Sequence, residues 1–166
     1  MDAATRPRSG WRGFQSDTAG GIYGTITATA VIAAAAGHAP PGSILIVAVA
    51  TLLVLWLAHV YAQALGHHLR GATRLRWATV ATAMEEEFPM LVAPVPGLLL
   101  LLAGSVGLLD DQRAVRLALW AGVLQLVGWG VAYARRQGWS WTTASVAGLV
   151  NGVFGVAVVL LEVLVH

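Results

Sequence analysis

Residues 44–58 read ILIVAVATLLVLWLA, interrupted only by Thr51. A helix needs about 20 mostly apolar residues to cross the roughly 30 Å hydrocarbon core of a bilayer. This run and its flanks supply them. Backbone polar groups at that depth must be satisfied internally, which restricts spanning structures to helices and closed barrels. Barrel strands alternate apolar with polar residues and are about 10 residues long, and the run does neither. Comparable stretches recur at residues 22–36, 88–109, 114–133 and 142–165. The pattern predicts an all-α polytopic membrane bundle of five transmembrane helices, over about 20–37, 43–66, 88–109, 114–134 and 142–165.

Composition points the same way. The 166-residue chain is 57% hydrophobic and 11% charged, more apolar surface than a water-soluble fold of this size can cover. The spans take more than half of it, so a single transmembrane domain at 20–166 follows a cytoplasmic tail at 1–19, with no room for a separate soluble domain. Cysteine is absent, which excludes disulfides and thiolate metal sites. The ten basic residues are all arginines in short segments beside the spans. That placement fits topology and phospholipid headgroups as partners. No basic, aromatic-interleaved patch points to nucleic acid. Arg6, Arg8 and Arg12 precede an apolar run ending in small residues, as in a leader peptide. The polar lead-in is long, so the first run is read as a retained helix.

Arginine placement sets the expected orientation. The tail holds Arg6, Arg8 and Arg12, the second connection Arg70, Arg74 and Arg76, and the fourth Arg135 and Arg136. The first connection has none. By the positive-inside rule the N-terminus is cytoplasmic and the C-terminus is outside. Trp11, Trp77, Trp139 and Trp141 lie at the cytoplasmic edges, where an interfacial aromatic belt belongs. Arginine without lysine suggests a GC-rich genome and a bacterial cytoplasmic membrane. Residues 71–88 read as an amphipathic cytoplasmic helix, with extension of the third span as the alternative. Pro89 suits a helix start. Pro94 and Pro96 lie inside the third run and break it.

Few polar groups fall at membrane depth. At ~1.5 Å per residue, Tyr23 and His59 lie at similar depth, Gln63 one turn from His59, and Gln125 near the midplane. Asn151 lies slightly to the cytoplasmic side, with Glu86 and Glu87 at the mouth. Such residues face a bundle interior or a wet cavity. His59 is either a proton acceptor or cation ligand, or a neutral ring bonded to a neighbouring carbonyl or Tyr23. Gln125 and Asn151 either coordinate an ion or bond across helices. Glu86 and Glu87, with His59, are the candidate metal ligands. Gly148, Gly152 and Gly155 form a small-residue face suited to helix packing or an oligomer seam.

The chain lacks HExxH, Walker, GxSxG and dinucleotide motifs. No enzymatic activity and no cofactor are expected. An intramembrane enzyme would require the segment before Pro89 to dip beside His59. The reading is an oligomeric channel or transporter for protons or small cations, lined by Tyr23, His59, Gln63, Glu86, Glu87, Gln125 and Asn151. The alternative is a non-transporting scaffold, assembly or sensor subunit. In layout the chain resembles vacuolar-iron-transporter-like proteins. Five spans, a cytoplasmic N-terminus and an acidic segment between spans two and three carry the likeness, with Glu85, Glu86 and Glu87 in the corresponding place. The resemblance implies divalent-metal transport. The chain has no intramembrane aspartate or methionine pair at matching depth in its first two spans.

Overall fold

The computed structural model describes residues 9–69 and 77–165. The arginine-rich connection at 70–76 and residues 1–8 of the tail lie outside the described residues, as do the side chains of Trp11 and Arg12. Every described element is a helix: α1 (Ser9–Ala35), α2 (Pro41–Leu69), α3 (Trp77–Glu87), α4 (Pro89–Val92), α5 (Val95–Ser105), α6 (Asp111–Arg136) and α7 (Trp141–Val165). Three of them contain stretches long and apolar enough to cross a membrane: Thr18–Ala35, Pro41–Gly66 and Asp111–Arg136. A fourth crossing results if the bent pair Val80–Val92 and Val95–Ser105 is one span. The described apolar part of α7, Trp141–Ala157, is shorter. α1 begins at Ser9, well inside the segment read as a tail.

Local chemistry explains the boundaries. Pro41 occupies the first turn of α2, where a missing N–H costs nothing. Asp110 caps α6, its side chain accepting from the Arg113 N–H at 3.3 Å. Arg135 and Arg136 in the last turn of α6 complement its negative end. Two helices stop in the same way. Gly107 and Gly138 take positive φ, and the N–H groups of Leu108 and Trp139 reach back to the carbonyls of Ala103 and Ala134 at 2.9 and 3.1 Å. This satisfies carbonyls that the helix end leaves over.

α6 packs against α1, α5 and α7, while α2 packs against α1, α3, α4 and α5. α1 touches α2, α3, α4, α6 and α7 and so occupies the middle. Its glycines and threonines make this close approach possible. Thr25 and Thr29 are buried, with hydroxyls donating to the carbonyls of Gly21 and Thr25 at 2.8 and 2.7 Å. Bonded back to their own helix, they need no partner elsewhere. The apolar core joins Ile32, Ile44, Leu101 and Leu119 from four helices. The outside is apolar as well. Only 22% of the α2 span is buried, and Ile46, Val54, Leu57 and Tyr61 face outward. A helix apolar all round with so little of it covered is matched to lipid.

Candidate functional site

The third apolar run is broken where the prolines predict. α4 ends at Val92, Ala93 and Pro94 form the turn, and the axis bends by 53° into α5. Pro94 and Pro96 lack N–H groups, so the carbonyls of Met90 and Val92 lose their usual donors four residues on. Other helices cover the break. The Gln125 side-chain amide of α6 donates to the Ala93 carbonyl. Gly24 of α1 abuts Met90 so closely that a Cβ there would lie 2.1 Å from the Met90 oxygen. This places the bare Gly24 backbone against the carbonyl that Pro94 leaves without its helical donor.

Beside the break lies a polar cluster built by α1, α2 and α3. Glu87 is 9% exposed. The Gln63 amide donates to its Oε1, and its Oε2 lies 4.0 Å from where a Cβ on Gly20 would stand. Among the described residues no cation pairs with it. One turn along α2, His59 packs its ring against Tyr23, with centroids 5.1 Å apart and planes inclined at 51°. His59 Nδ1 donates to the Leu55 carbonyl at 2.9 Å. A carbonyl can only accept, so the hydrogen of this bond is on Nδ1. Glu86, the next residue on α3, is half-buried.

The remaining candidates separate from this cluster. Asn151 lies in the α6–α7 contact, its amide nitrogen 2.7 Å from where a Cβ on Gly130 would be. Gly148, Gly152 and Gly155 face α6, against Val127 and Val131, Val127, and Leu126 and Val123 respectively. That seam is filled within one chain. Among the described residues no three His, Cys, Asp or Glu side chains gather as a metal site. His59 and Glu87 each sit with a neutral partner instead.

Sequence reasoning missed a cleft away from this cluster. A cleft of about 640 Å³ lies at the other end of the bundle, lined by residues 36–41, by Asp111, Gln112, Arg116 and Trp120 of α6, and by Val159 of α7. The available signal was Arg116, a cation set several residues into an apolar helix. His38 lies in the α1–α2 connection and Asp111 in the first turn of α6, and only the packing of α1 against α6 brings them to one place. No protein-family model, curated protein or solved structure matches the chain.

Proposed function

We propose that this chain is an integral membrane protein of five spans, N-terminus in, which carries protons or small cations across a bacterial cytoplasmic membrane as an oligomer. The observation that carries the reading is Glu87. Its carboxylate is buried beside a broken helix and held by an amide, not by a cation. Ionisable groups at membrane depth are costly and mark ion or proton paths, and broken helices commonly frame such sites. A carboxylate with one neutral donor and no facing cation among the described residues can accept one positive species. His59, one turn along α2, and Tyr23 of α1 continue the polar track. The oligomer does not assemble through Gly148, Gly152 and Gly155, which α6 already covers.

The test is flux into proteoliposomes under an imposed pH gradient, followed with an internal pH dye and with potassium and sodium indicators. Wild-type vesicles should equilibrate faster than empty ones. Glu87→Gln should lower the rate at least about tenfold, and His59→Ala should flatten its pH dependence. Flux unchanged by Glu87→Gln removes the site from the mechanism. A second reading, a non-transporting scaffold, draws on the bonds that Gln63, Gln125 and His59 already make inside the bundle. It predicts vesicles as tight as empty ones, with Glu87→Gln altering only thermal stability.

A further inference from the structure

The cleft at the far end of the bundle has a layered chemistry. Asp111 stands in the first turn of α6. Arg116 follows five residues later, about 7.5 Å further along the axis, and Trp120 about 6 Å beyond that. All three line the cleft with Val115, Leu119 and Val159. Its volume of about 640 Å³ falls among small-molecule sites, which span roughly 300–1,000 Å³. Along α6 from its N-terminus the wall therefore reads anion, cation, apolar surface.

Helix electrostatics explain only part of this. An acidic residue at the first turn of a helix is favoured by the macrodipole. An arginine in the second turn is not, and at the edge of an apolar span its guanidinium needs an anion or phosphate. Among the described residues no acidic side chain pairs with Arg116, and Asp111 does not reach it as a salt-bridge partner. Both charges remain open to a third party that carries the opposite pair.

A phospholipid with an amine headgroup has that order. Its amine lies outermost, its phosphate next and its acyl chains below. We infer that the cleft holds one phospholipid of the surrounding leaflet whose headgroup carries a primary amine. Arg116 binds the phosphate, Asp111 accepts from the ammonium, and Leu119, Trp120 and Val159 take the first part of a chain. A carboxylate accepts N–H bonds that a quaternary ammonium has none to give, and quaternary ammonium groups are held by aromatic faces. Here the indole of Trp120 lies at the apolar end, about 13.5 Å along the axis from Asp111. An anionic headgroup with no amine would meet the Asp111 carboxylate unshielded. The inference needs only that the bundle sits in a bilayer, and it stands apart from the route at Glu87.

The test is native mass spectrometry of the intact protein in detergent. It is titrated with dioleoyl phosphatidylethanolamine, phosphatidylcholine and phosphatidylglycerol, and separately with soluble glycerophosphoethanolamine. Wild type should bind the ethanolamine lipid at least about fivefold tighter than the other two. Asp111→Asn should reduce that preference below about twofold, and Asp111→Glu should restore it. Arg116→Gln should weaken all three lipids by about tenfold. Arg113→Gln, which changes an exposed residue outside the cleft, should leave binding unchanged and shows that the fold is intact. Equal binding of ethanolamine and choline lipids by wild type overturns the inference, as does a preference that survives Asp111→Asn. Competition by glycerophosphoethanolamine at the lipid's own concentration overturns the lipid as occupant.

Discussion

A methyl group on Gly24 would fall 2.1 Å from the Met90 carbonyl oxygen and 2.8 Å from its carbon. Both atoms are backbone, so no side chain can swing aside. Gly24→Ala should cost about 2 kcal/mol or more, at the upper end of overpacking losses, read as a drop in thermal midpoint in detergent. Gly20→Ala, whose nearest neighbour would be 3.6 Å away, should cost less than about 1 kcal/mol by the same measurement. The polar residues of the site were legible as types and as positions along their helices. His59 and Gln63 lie one turn apart on a helix that is otherwise apolar there, and helical spacing alone puts them on one face. Their partners were not legible. The Gln63–Glu87 bond joins α2 to α3 across the 70–76 connection, and nothing local to either residue specifies that return.

At the scale of the element, the broken third run shows what proline dictates and what it leaves open. Removing two backbone donors guarantees an interruption, and the interruption was readable from Pro94 and Pro96. Its direction depends on other helices. α4 leans onto α1 because Gly20 and Gly24 leave space, while α5 leans onto α2 and α6. Gln125 secures the junction, so Gln125→Leu should destabilise by about 1 kcal/mol, in the range of interhelical bonds in membranes. Chemical denaturation in mixed micelles measures it. The α6–α7 contact offers a cleaner pair. A Cβ on Gly130 would lie 2.6 Å from the Ala147 oxygen, whereas on Gly128 it would meet nothing within 4 Å. Gly130→Ala should separate the helices and cost about 2 kcal/mol or more. Gly128→Ala should be neutral or gain up to about 1 kcal/mol from helix propensity.

For the whole molecule, composition made the apolar helical architecture legible, because greasy runs of this length have few other uses. Neighbour relations were not, and the cleft between the α1–α2 connection and α6 emerged only from them. Orientation is open to direct measurement, since the chain has no cysteine. Ser43→Cys lies exposed in the first turn of α2, beside the connection expected outside, and Gln137→Cys in the one expected inside. In intact cells an impermeant maleimide should label the first and reach the second only after permeabilisation. The reverse pattern would invert the topology, and labelling of both would break the alternation of spans. The position of α1 has its own bearing on how the protein is made. α1 is the least apolar of the three long candidates, yet its glycine and threonine surface fits helices translated after it. During biogenesis the part of that surface that α4 and α6 cover stays without those partners until they arrive. Nascent chains that stop short of α6 should therefore be the ones cleared by membrane quality-control proteases.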